Sequence, residues 1–122
     1  MRRNIEPAVT AAALVSIALM ILHVAQDEIH SSAGVGRVAW AILAAIVLVM
    51  LLATFGVFRR RAGYIVILVG GVLAVAMAAI HGMGPATMRL GLGFAGTIAA
   101  LAVIGCATAL LSAYALWREL RN

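Results

Sequence analysis

Three histidines, His23, His30 and His81, are the residues of this chain best equipped for chemistry. His23 and His81 stand near the ends of two apolar runs, 58 positions apart, and His30 follows just beyond the first run. An imidazole is costly in lipid, so polar groups at such positions turn toward the protein and often mark functional sites. On a helix, Ser16, Met20, His23, Asp27 and His30 follow steps of three and four. They share a face if the first helix continues past Ala25. Gly70, Ala74, Met77, Ala78 and His81 share a second face, small enough for another helix to approach closely.

Two chemistries fit two imidazoles facing each other at equal depth. The first is a b-type haem with His23 and His81 as axial ligands, Gly70 or Gly71 leaving room for the ring. The second is a metal site built from His23, His30, His81 and Asp27, a donor set suited to copper, zinc or iron. Met20, Met77, Met83 and Met88 lie toward the same end, and thioether sulfur favours reduced copper. Two plainer roles stand beside these. The histidines can be hydrogen-bonded packing residues or steps in a proton relay, and Met is an ordinary core filler. On the plain reading His30 is a solvated loop residue, and Asp27 and Glu28 are loop charges that could pair with Arg37 or Arg89.

The elements that must position these residues are set by composition. Of 122 residues, 66% are hydrophobic and 11% charged, with a mean hydropathy of +1.15. A soluble domain is about half apolar and about a quarter charged. So short a chain cannot hide this much apolar surface in a core, so lipid must cover it. Four apolar segments follow, at about 8–25, 38–58, 62–80 and 90–117. About 20 residues cross the hydrocarbon layer as a helix. The spacing predicts an all-α integral membrane protein, a single membrane domain over 1–122 folded as an up-down-up-down four-helix bundle. The fourth helix exceeds a perpendicular crossing and should tilt or protrude. Pro7 suits the first turn of helix one, and glycines and Pro85 punctuate the connections. The run from Ala8 to Ala25 lacks a convincing cleavage site and reads as a retained span, not a signal peptide.

All nine basic residues are Arg, and the net charge is +5. Their positions beside the spans give orientation, not nucleic-acid binding. Arg2, Arg3, Arg59, Arg60, Arg61, Arg118 and Arg121 fall on one side, and Arg37 and Arg89 on the other. This places both termini in the cytoplasm and the histidines on the periplasmic side of a bacterial inner membrane. Tyr64 and Trp117 then mark the cytoplasmic interface and Trp40 the outer one. Shifting by 58 superposes His23 on His81, and by 59 superposes Phe58-Arg59 on Trp117-Arg118. The pattern is compatible with two parallel helical-hairpin repeats, although any two apolar hairpins look partly alike.

Several function classes fall away. Gly91-Leu92-Gly93-Phe94-Ala95-Gly96 matches a dinucleotide fingerprint by letters, but it opens a membrane helix without the strand that motif needs. Small multidrug transporters rely on an acid embedded in the first helix, and no Asp or Glu lies inside the four segments. Cys106 is the only cysteine, which excludes an internal disulfide and reads as a small buried packing residue. Ser16 has no acid near it, so a serine hydrolase is not supported, and nothing else in the sequence points to an enzyme acting alone.

The sequence favours an accessory or scaffold subunit of a larger membrane complex, with other membrane subunits or further copies as partners. Its basis is the small-residue stripes, including Gly105, Ala109 and Ala113, and the lack of polar loops. A haem- or copper-binding redox protein using His23 and His81 is the alternative. A small transporter or channel is a third reading, with Ser16, Thr54, Thr97 and Thr108 as its deepest hydroxyls.

Overall fold

A computed structural model describes residues 5–30, 36–56, 60–82 and 91–122. They form four α-helices: α1 Glu6–His30, α2 Arg37–Thr54, α3 Arg60–Gly82 and α4 Leu92–Arg121. No strand occurs among the described residues. Each helix is long and apolar enough to cross a membrane. At 1.5 Å per residue, α4 is roughly 45 Å long, well beyond a hydrocarbon layer of about 30 Å. Arg2, Arg3, Ser31, Ser32, Arg59, Met83, Pro85, Met88 and Arg89 lie outside the described residues.

Two helix limits differ from those read in the sequence. Helix α1 does not stop at Ala25 but runs on to His30. Gln26, Asp27 and Glu28 are polar, not helix-breaking, so hydropathy falls while the backbone ladder continues. Asp27 and His30 are therefore helical residues and not loop residues. Helix α2 ends at Thr54, before the apolar run does at Phe58. Gly56 takes φ +77°, a left-handed conformation natural to glycine just past a helix end. The Gly56 N–H donates to the Ala53 carbonyl and closes the last turn.

The core divides into two apolar clusters. One surrounds Met20, Met50, Ala74, Leu101 and Ile98, and the other gathers Val9, Ala13, Ala53, Tyr64, Ile67 and Ala115. The tightest seam joins α3 to α4. A Cβ built at Gly71 would lie 2.8 Å from the Ala109 nitrogen and 2.9 Å from the Gly105 carbonyl oxygen. Only glycine lets these two backbones approach so closely. The small-residue stripe of α4 is thus divided: Gly105 and Ala109 face α3, whereas Ala113 is exposed. Helix α2 packs on α1 and α3 but not on α4, and most of its surface faces outward.

One residue is placed differently from expectation. Cys106 is exposed on the outer side of α4, one position past Gly105, which faces α3. The residue type allows either placement, and the helix rotation decides. Tyr64 packs into the core cluster at the arginine end.

Candidate metal site

Packing of α1 against α3 at their C-terminal ends brings three side chains together. His23, on the inner face of α1, is completely buried. Asp27, one turn later on the same face, places Oδ2 3.5 Å from His23 Nε2. The same Oδ2 lies 3.6 Å from His81 Nε2 on α3. One carboxylate oxygen is therefore shared between two imidazoles. The rings meet edge to face, with centroids 4.6 Å apart and planes at 72°. Phe94 of α4 covers the other side of His23 at 5.5 Å.

The hydrogen bonds around these rings differ. His81 Nδ1 lies 2.9 Å from the Met77 carbonyl oxygen, which can only accept. The proton of a neutral His81 ring is thereby assigned to Nδ1, and the Nε2 lone pair is aimed at Asp27. Such a backbone bond is the usual way a protein orients a ligating imidazole. His23 has no such anchor. Both of its ring nitrogens are buried without a hydrogen-bond partner, since the 3.5 Å approach to Asp27 is an electrostatic contact and not a formed hydrogen bond. A buried polar group left unmatched costs on the order of 1–3 kcal/mol, so this arrangement needs a reason.

One donor atom from each of His23, Asp27 and His81 lies within 4.8 Å of the others. In a tetrahedral site with metal–ligand distances of about 2.1 Å, donors stand about 3.4 Å apart. The two carboxylate–imidazole distances match that spacing, and all three donor atoms lie within 4.8 Å of one another. Beside the three donors lies a cleft of about 310 Å³ between α1, α2 and α3, walled by Val24, Ala39, Ile42, Leu43, Ile46 and Met77.

His30 stands apart from this group. It is exposed at the end of α1, with Nδ1 2.7 Å from the Gln26 carbonyl oxygen. Asp27 faces the two imidazoles, and Glu28 contacts Trp40 Nε1 at 3.3 Å, linking α1 to α2 just outside the cleft. Met20 is buried beneath His23, and Met77 lines the cleft.

The space anticipated for a macrocycle is filled by packing. A Cβ at Gly70 would meet the Met50 side chain at 2.5 Å, and Gly71 abuts the α4 backbone. The imidazoles touch each other and leave no slot for a porphyrin between them.

The hydroxyls expected at mid-span are spent within the fold, and Thr54, the last residue of α2, lies at a helix end and not at mid-span. Ser16 Oγ and Thr108 Oγ1 are 2.8 Å apart, and Thr108 also lies within donating distance of the Ala12 and Ile104 carbonyls. Thr54 and Thr97 donate to carbonyls one turn earlier on their own helices. Met20 and Leu101, both buried, fill the core between the Ser16–Thr108 level and His23. Sequence reasoning missed Ser112, which is buried with Oγ unpartnered. Its i+4 spacing from Thr108 was the signal that could have found it.

Comparison with known protein families, with curated proteins and with solved structures finds no match for this chain.

Proposed function

We propose that this chain is a small membrane protein that binds one transition-metal ion between His23, Asp27 and His81. The observation that carries this reading is the state of His23: a fully buried imidazole, without a hydrogen bond, turned toward a carboxylate that a second imidazole also faces. A packing histidine would be expected to hold a hydrogen bond. A ligating histidine keeps a lone pair for the ion. A bare ion fits the touching rings better than haem b does. The lateral cleft leaves the coordination sphere open on one side, as in sites that exchange a ligand.

The surrounding architecture supports an up-down-up-down bundle. His23 and Phe94 put the C-terminal end of α1 beside the N-terminal end of α4, and Arg60 joins the other ends of α1 and α4 through Glu6 and Glu119. With the arginine-rich end in the cytoplasm, the metal site lies near the periplasmic face of a bacterial inner membrane. The repeat reading gives the two imidazoles their matched depth.

Elemental analysis of the chain, purified in mild detergent with copper, zinc and iron supplied in turn, tests the proposal. One ion per chain in the native protein and none in His23→Leu is expected. Absence of stoichiometric metal under all three conditions would overturn it.

A second reading, an accessory subunit of a membrane complex, draws on the outer face of α4. A Cβ at Gly93 or Gly96 would meet nothing within 4 Å, so another helix could approach closely there. The two readings are compatible, since a metal-carrying subunit can dock a larger assembly. A monodisperse monomer with no co-purifying partner in mild detergent would argue against the second and leave the first intact.

A further inference from the structure

We infer that the ion is monovalent and soft, a cuprous ion, held as an electrically neutral complex. This rests on the metal-binding reading above and identifies what that site selects.

Charge decides the valence. Two neutral imidazoles and one carboxylate carry a total of −1. A monovalent cation brings the site to zero. A divalent cation leaves it at +1, and a net charge against apolar walls is less favourable than a neutral complex unless a further anion enters. Among the described residues the cleft lining provides none: Asp27 is the only acidic side chain there, and apart from the two imidazoles the others are apolar. The neighbouring Glu28 is exposed and directed to Trp40.

Donor type points the same way. The three convergent donors fall well short of the six to eight oxygens of calcium, and since two imidazoles and a carboxylate also serve open zinc sites, the softness of the remaining neighbour decides. Imidazole suits copper, and a thioether is a soft donor that selects its reduced state. Met77 borders the cleft one turn before His81 and fixes the His81 ring through its own carbonyl. The walls of Val24, Leu43 and Ile46 keep the surroundings apolar, which favours a neutral complex over a charged one.

The experiment uses the full chain in detergent, without oxygen, in a Cys106→Ala background. That background is needed because Cys106 is exposed, and a free thiolate would itself bind a soft ion. Silver(I) serves as a redox-inert probe beside copper(I), with zinc(II) as the divalent competitor, and bound metal is measured by equilibrium dialysis. We expect one silver(I) or copper(I) per chain, not displaced by about tenfold excess zinc(II). His81→Ala should weaken that binding at least ~100-fold, more than loss of an outer-shell partner does. Asp27→Asn, nearly unchanged in shape, should weaken it as well because the complex would then be charged. Circular dichroism confirms that each variant keeps its helices.

Zinc(II) bound at one per chain and displacing silver(I) would overturn the monovalent assignment while leaving the metal-binding reading standing. Silver(I) binding unchanged in folded His81→Ala and Asp27→Asn would place the ion elsewhere and overturn it too. No binding of any of the three ions would overturn this inference, and no iron in the elemental analysis as well would overturn both readings together.

Discussion

The two ends of the bundle carry the same arrangement with the charges exchanged. At one end a single acid, Asp27, is shared by two bases, His23 and His81. At the other a single base, Arg60, is shared by two acids, Glu6 at 3.4 Å and Glu119 at 3.7 Å. Burial separates them. The Arg60 side chain is 70% exposed, whereas that of His23 is 0% exposed. Exposed charges are screened by water, so the arginine cluster ties three helices together weakly. In the histidine cluster His23 stands where water does not satisfy its ring nitrogens, and each unmatched polar atom there is costly. Similar pairwise distances therefore give a fastening at one end and, on the proposed reading, a ligand site at the other.

The strongest way to break this comparison is His81→Ala. Metal affinity should fall at least ~100-fold, exceeding the effect of losing an outer-shell partner, with little change in fold because His81 is only half-buried. Equilibrium dialysis reads the loss, and retention of full affinity would remove the distinction between the ends.

The next test concerns the seam that sets where α3 lies. Gly71→Ala would push a methyl group into the α4 backbone, and overpacking of this kind costs about 1–3 kcal/mol. Gly70→Ala should cost clearly less, because the Cβ meets the flexible end of Met50. Unfolding in detergent by SDS titration compares them, and equal losses would show that backbone contact does not set the spacing.

His23→Leu sharpens the contrast between stability and function. It removes an unmatched buried polar group, and we expect stabilisation on the order of 1 kcal/mol, at the low end of that penalty because Asp27 loses its electrostatic partner. Metal binding should vanish in the same protein. A destabilised His23→Leu would mark His23 as a structural residue.

The smallest effect belongs to Arg60→Ala. Its exposed pairs should contribute under about 1 kcal/mol, and less at high salt. A larger loss in the same titration would show that the arginine end is a true clamp.

Sequence and structure divide the credit unevenly between these ends. Four apolar stretches, each helical and long enough to cross a membrane, were legible because hydropathy and length are summed along the chain itself. His23 and Asp27 were legible as neighbours for the same reason, since an i, i+4 step fixes them on one face of a helix. The extent of α1 was less so, because polar residues 26–28 end an apolar run without ending a helix. Cys106 was misread as buried and is exposed, because residue type does not specify the rotation of a helix about its axis.

The chain by itself thus determined the elements and the depth of their polar residues. Tertiary structure alone decided that Asp27 Oδ2 lies between two imidazoles, that His30 stands outside, and that Gly71 is occupied by a helix. Depth follows from each segment's own balance of lipid and water. Convergence depends on which faces of separate helices meet, and that is set by the close approach of backbones such as those at Gly71 and Gly105.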